Sequence, residues 1–252
     1  MNYLKSVFRL GFSIAKADFI LKHEGTILGI AWYAVVPIMA FILMFGVFRE
    51  RLGGDIPSYP LYLFLGIIIF NFFKTITGEC VSLIKNKEGL INSVNFHQES
   101  LVLAIAIKTL FSHVFEVVIL IGFLVFFEIP LVAILLYPIV LIILTIFSVG
   151  AGLILASLGA YFFDLKQIWL YVIGGLWFIT PIFYAIETTD RIFLLNLFNP
   201  LYFIVTMARD IMVYTRIPDL YIIFGATGYS LSAIIIGFLL FKKLKVRFSE
   251  LV

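Results

Sequence analysis

The chain has 252 residues, of which 63% are hydrophobic and 13% charged, and a net charge of only +3. A soluble globular domain carries about 25% charged residues, so an ordinary water-facing fold is excluded. The charge is too small to suggest nucleic acid as a partner, and the basic residues lie where the anionic headgroups of membrane lipids would meet them.

Apolar blocks at about 27–48, 61–84, 100–127, 131–162, 166–186 and 221–241 occupy most of the sequence. A hydrocarbon core about 30 Å thick needs roughly 20 apolar residues as helix. The alternation of a membrane barrel is absent, and lipid-exposed backbone must satisfy its own hydrogen bonds. The expected fold is an all-α membrane protein with six transmembrane helices, forming one transmembrane unit over 1–252. No loop is large enough for a separate catalytic domain. An even number of spans puts both termini on one side. Lys5, Arg9, Lys16, Lys22, Lys85, Lys87, Lys166, Lys242, Lys243, Lys245 and Arg247 fall on that side, against Arg49, Arg51, Arg191, Arg209 and Arg216 opposite. The excess of Lys and Arg makes the termini cytoplasmic. A mixed stretch precedes the first block, which runs too long for a signal-peptide core, so the first span is expected to stay as an anchor. The lone Cys80 excludes an intrachain disulfide and any CxxC metal site.

In chain order, 2–22 reads as an amphipathic helix. Leu4, Val7, Phe8, Gly11, Ile14 and Ala15 share one face, and Lys5, Arg9 and Lys16 another. It is expected to lie on the cytoplasmic leaflet, with Phe12, Phe19 and Ile20 blurring the pattern. Gly25-x-x-x-Gly29 leads into the first span, and Gly152-x-x-x-Ala156-x-x-Gly159 lines a face of the fourth. Small residues at this spacing let helix backbones approach, within a subunit or across a dimer.

The second and third spans hold Lys74, Glu79, Lys108 and Glu116. Charges inside a span call for partners. In an antiparallel hairpin, Glu79 matches Lys108 in depth and Lys74 matches Glu116, which predicts two stacked intramembrane ion pairs. A proton relay or cation site is the alternative. His113, one turn from Glu116, reads as a hydrogen-bonded structural group. Between these spans, 85–99 is the most polar internal stretch; it is either the solvated connection of a hairpin or a short helix that docks a soluble partner.

Deep aromatics include Trp32, Tyr33, Phe41 and Phe45 in the first span, and Trp169, Tyr171, Trp177, Phe178, Phe183 and Tyr184 in the fifth. Aromatic rings stack on sugars but also pack against lipid, so both a glycan channel and a plain bundle remain open. The 187–220 segment is apolar from Ile192 to Met207 but is interrupted by Asn196, Asn199 and Pro200. Pro200 turns Asn199 away from helical geometry. Two short helices dipping into the outer leaflet fit better than further crossings, which makes the segment a candidate outer gate.

An enzyme inside the membrane needs convergent acids, bases, nucleophiles or metal ligands. The sequence has no HExxH, no GxSxG and no GxxxxGK[ST] phosphate loop. No catalytic residue, metal or cofactor is assigned to this chain, and any ATP-driven work must come from another polypeptide.

The stretch from Asp18 through Lys22-His23-Glu24-Gly25 and Gly29 to Trp32, followed by Pro37, resembles the approach to the first span in permeases of ABC transporters that export O-antigen, teichoic acid or capsule. So do Thr180-Pro181-Ile182-Phe183-Tyr184, Asn199-Pro200 and Arg209, in the same order along the chain. The resemblance implies a homodimer around a channel in the bacterial inner membrane, with two copies of an ATP-binding subunit below that hold the ATP and Mg. It implies that 85–99 couples to them, with Lys85, Lys87, Glu88, Asn92 and His97 as contact candidates. Asn196, Asn199, Pro200 and Arg209 would belong to the outer gate. Trp32, Tyr33, Phe41, Phe45, Trp169, Trp177, Phe178 and Tyr184 would line the channel. The expected substrate is a lipid-linked polysaccharide, as in lipopolysaccharide biosynthesis, moved outwards. A drug- or lipid-exporting ABC permease is the alternative. So is a membrane-embedded transferase on lipid-linked sugars, which would need clustered acids or His, and only His23-Glu24 and Asp164 offer them.

Overall fold

An apolar chain that must satisfy its backbone without water forms helices. The computed structural model describes residues 3–21, 25–53, 56–93, 96–186 and 191–248, and among these there are helices and no strands. Lys22, His23, Glu24 and residues 187–190 of the outer segment lie outside the described residues. The helices are α1 (Tyr3–Leu21), α2 (Trp32–Leu52), α3 (Tyr59–Cys80), α4 (Leu83–Asn86), α5 (Glu88–Ser93), α6 (Glu99–Phe126), α7 (Val132–Tyr161), α8 (Leu165–Ile179), α9 (Arg191–Asn196), α10 (Pro200–Met212) and α11 (Leu220–Leu244).

Among the described residues, five helical stretches are long and apolar enough to cross a membrane: Gly29–Leu52, Tyr59–Cys80, Glu99–Phe126, Val132–Tyr161 and Leu220–Arg247. The expected continuous span over 166–186 is not a single helix. At 1.5 Å per residue, α8 is only about 22 Å long, and it stops at Thr180, whose backbone is extended (φ −68°, ψ 131°). The cause is Pro181, which disfavours helical geometry at the residue before it.

α3 forms the axis of the bundle: 78% of its apolar window is buried, against 6% for the first span. α6 runs antiparallel to it, with Phe64 against Phe123 and Phe72 against His113 at ring-centroid distances of 5.1 and 5.2 Å. α7 and α11 run side by side in the same direction, with backbones touching. A Cβ on Gly150 would sit 2.4 Å from the backbone of Ala233 and Ile234, and one on Gly237 would sit 2.4 Å from the Gly150 carbonyl oxygen. The small face of the fourth span packs inside the subunit: Gly152 faces Cys80, and Gly159 faces the Val81 carbonyl.

One expectation near the N-terminus changes, and α1 gains a packing partner. Gly25 and Gly29 have φ of +76° and +48°, with nothing within 4 Å of a Cβ, so they turn the chain instead of packing helices. α1 does not stand apart on a surface. It follows the first half of α6, from Tyr3 against His97 to Phe19 against Phe111, with Gly11 close to Ser100 and Leu103. Val7 and Ala15 are buried in that contact. The i, i+4 spacing of Val7, Gly11 and Ala15 makes a narrow flat stripe on which α6 packs, while Lys5, Arg9 and Lys16 stay exposed. α2 then continues along the second half of α6, through Tyr33–Phe115 and Phe41–Phe123.

Candidate functional site

The non-helical residues 180–186 leave carbonyls without helical partners, and residues 180–183 are buried in an apolar bundle, where such groups lack water. Side chains from α3 and α10 take them up. Arg209 of α10 donates to the carbonyls of Pro181 and Ile182, the latter at 2.7 Å, and to that of Tyr62 at 3.2 Å. The Tyr59 hydroxyl donates to Phe183 O (3.0 Å) and the Tyr62 hydroxyl to Tyr184 O (2.7 Å). Tyr184 in turn donates to the carbonyls of Phe178 and Ile179 at the end of α8. The Arg209 guanidinium lies 3.4 Å above the Tyr62 ring, a cation–π contact that replaces part of its lost hydration. Gly66 makes this possible: a Cβ there would meet Arg209 Nη2 at 2.8 Å.

The corner between α9 and α10 is tied to the same place. Pro200 opens α10 at a position where its missing N–H costs nothing. Asn199 caps that helix by accepting from Leu201 N–H, and its amide donates to Thr180 Oγ1 at 2.9 Å and to Asn196 Oδ1 at 3.3 Å. Asn196, Asn199 and Arg209, expected as gate residues, are therefore all buried and joined to the irregular segment.

At the other end, residues 83–93 form two short helices, α4 and α5, hinged at Lys87, where one short helix was expected. Leu83, Ile84 and Ile91 point inwards, while Lys85, Glu88 and Asn92 are exposed. Lys87 reaches Asp18 of α1 at 3.4 Å, Lys85 lies over the Phe163 ring, and His97 is exposed beside Tyr3. Lys245 of the C-terminal stretch pairs with Glu99 at 2.6 Å.

Of the intramembrane charges, Lys108 donates to Glu79. Lys74 and Glu116 do not pair. Glu116 is held by His113 Nδ1, and His113 Nε2 meets the Tyr137 hydroxyl at 2.7 Å. The local partner wins because His113, one turn away on the same helix, is already placed. Lys74 instead faces a cavity of about 290 Å³ shared with Trp32, Asn71, Thr75, Ser112 and Glu116.

The expected channel aromatics divide. Tyr33, Phe41, Phe45, Trp169 and Trp177 pack their rings on Phe115, Phe123, Tyr59, Phe73 and Phe70 within the subunit. Tyr184 is committed to the irregular segment, and Trp32 and Phe178 face outwards. Among the described residues, no three His, Cys, Asp or Glu side chains gather as a metal would require. Sequence reasoning missed the carbonyl-capturing roles of Tyr59, Tyr62 and Gly66; Pro181 was the signal that the fifth block would break.

No protein-family model matches the sequence. Among curated proteins, the chain is 26% identical to an O-antigen export system permease protein RfbA of Klebsiella pneumoniae, over 98% of this chain and 99% of that one. It is 24% identical to the protein of the same name from Myxococcus xanthus, over 82% and 81% of the two chains. It is 25% identical to the polysialic acid transport protein KpsM of Escherichia coli, over 73% of each. The chain is thus similar to proteins named for O-antigen export and for polysialic acid transport. The match to the Klebsiella relative runs nearly end to end, so it takes in the α4–α5 segment and the irregular outer segment together.

Proposed function

We propose that the chain is the channel-forming permease subunit of an ATP-driven exporter that moves a lipid-linked, O-antigen-like polysaccharide out of the cytoplasm across the bacterial inner membrane. The observation that carries this reading is the near full-length similarity to O-antigen export permeases. In this reading α8 and residues 180–186 together make the sixth crossing, half helix and half irregular strand sheltered by α3 and α10. Both termini are cytoplasmic. The first span, 6% buried within the subunit, meets a second copy of the chain, and the exposed Trp32 and Phe178 face the space between the copies.

The chain has no phosphate loop, so ATP and Mg are held by two copies of a separate ATP-binding subunit. The α4–α5 segment is its docking surface: the exposed Lys85, Glu88 and Asn92 make contact, while Leu83, Ile84 and Ile91 transmit the push into α3 and α6. The test is affinity purification in mild detergent with an ATPase assay, together with surface detection of the glycan in cells lacking the native gene. A stoichiometric ATPase and restored surface glycan are expected. Replacing Lys85 and Glu88 with residues of opposite charge should leave insertion intact and uncouple hydrolysis from export. Normal export by that variant would remove the coupling assignment, and a chain that purifies without an ATPase would remove the exporter reading.

A further inference from the structure

At the end of the molecule opposite α4–α5, a loop after α10 brings Arg216 back onto α10. Its Nε and Nη2 lie 2.8 and 2.6 Å from Asp210 Oδ1, and its backbone N–H donates to the Asp210 carbonyl at 2.8 Å. The loop is held in a costly conformation, because the β-branched Thr215 sits at φ +48°. A guanidinium has five N–H donors. Asp210 occupies two of them, and the side chain remains 62% exposed.

Arg216 is the shared wall of two spaces of opposite character. On one side is a polar cavity of about 270 Å³ with Tyr62, Tyr202, Tyr214, Asp210 and Arg209. Asp210 sits on Arg216 with Asp219 nearby, and the N–H donors of Arg216 that Asp210 does not take remain open to an acceptor; among the described residues no carboxylate pairs with Arg209, whose buried Nε has no partner. On the other side is an apolar groove of about 340 Å³ between α7 and the loop, walled by Val132, Leu136, Ile139, Ile211 and Ile217. Among the described residues lining the groove, Arg216 alone carries a charge.

We propose that this pair of spaces binds a phosphate-bearing lipid, with a hydrocarbon chain in the groove, the phosphate on Arg216, and the headgroup hydroxyls towards Tyr202, Tyr214 and Asp210. A free anion would leave the groove empty, and a lipid without a phosphate would leave the remaining Arg216 donors without an acceptor. A lipid with a charged phosphate between its chain and its headgroup fits both sides at once. Tyrosine hydroxyls beside an Arg–Asp pair offer donors and acceptors together, which suits a polyhydroxy headgroup.

The test measures binding of fluorescent dioleoyl phosphatidylglycerol to the purified full chain in neutral detergent, so it is independent of whether the chain exports anything. Saturable binding is expected, with Arg216→Gln weakening it about tenfold, the loss of one charge-assisted contact. Leu136→Trp, which fills the groove and leaves the Arg216–Asp210 pair intact, should weaken it to a similar degree while keeping the wild-type melting temperature. Equal binding in wild type and both variants overturns the proposal. So does equal binding of dioleoylglycerol, which has no phosphate, or full displacement by millimolar inorganic phosphate, which would mark a free-anion site. A groove sealed by a second copy, seen as a wild-type dimer that binds no lipid and that separates in Leu136→Trp, overturns it as well.

Discussion

Where α3 and α6 meet near Cys80, both backbones are regular helix and the polar groups needing partners are side chains: Lys108 on Glu79, and His113 between Glu116 and Tyr137. Where α3 begins, near Tyr59 and Tyr62, the polar groups needing partners are backbone carbonyls, those of residues 180–186, and side chains are the remedy. The first arrangement keeps the span rigid and places charge at chosen depths. The second breaks a span without exposing its peptide groups to lipid. An unsatisfied carbonyl costs about as much as an unsatisfied side chain in the same place, so the second end concentrates more of its stability in fewer residues. Arg209 alone serves three carbonyls.

That contrast can be broken by mutation. Arg209→Met should have the largest effect, about 3–5 kcal/mol, because buried carbonyls lose their donors at one stroke. We expect it to accumulate poorly and to melt far below wild type in detergent; a melting curve matching wild type would mean that the irregular segment holds itself. Gly66→Ala comes next, at about 1–3 kcal/mol, since its Cβ would press on Arg209 Nη2 at 2.8 Å and on Ile182 O at 3.1 Å.

At the other end, Lys108→Met removes the ammonium from Glu79, whose side chain is 33% exposed. Partial solvent access limits the cost to about 1–2 kcal/mol. The swapped pair Glu79→Lys with Lys108→Glu should recover part of it in thermal unfolding, and no recovery would show that depth and not pairing sets the cost. Tyr62→Phe should be the mildest, about 1 kcal/mol for one hydrogen bond to Tyr184 O. If it proved as severe as Arg209→Met, the carbonyls would not be shared in the way the geometry describes.

Periodicity and length made five spans legible in the sequence, because burial in lipid demands long apolar runs. The sixth was legible as an apolar block but not as a broken one: hydropathy sums side chains and does not register that Pro181 ends a helix at Thr180. Antiparallel depth matching placed Lys108 opposite Glu79 correctly, since that depends on rise per residue alone. It failed for Lys74 and Glu116 because rotation about the helix axis, which depth does not constrain, gave Glu116 to His113. The α1 stripe Val7-Gly11-Ala15 reads the same in sequence whether its partner is lipid or α6; only the facing surface, Ser100 and Leu103, decides. Arg209 and the Asn199-Pro200 corner stood out as polar interruptions, but the carbonyls they serve lie elsewhere in the chain and leave no mark beside them.

The glycine contacts that hold α7 to α11, and α7 to the end of α3, also restrict how the molecule can work. With Gly150 and Gly237 backbone to backbone and Gly159 against the Val81 carbonyl, these helices have no side-chain layer between them at the contact that could repack as they shift. They form a stator. Any stroke is then expected in the parts packed through longer side chains, α2 and α8, so distance measurements between probes on α7 and α11 would stay constant through a transport cycle while α2 and α8 move against them.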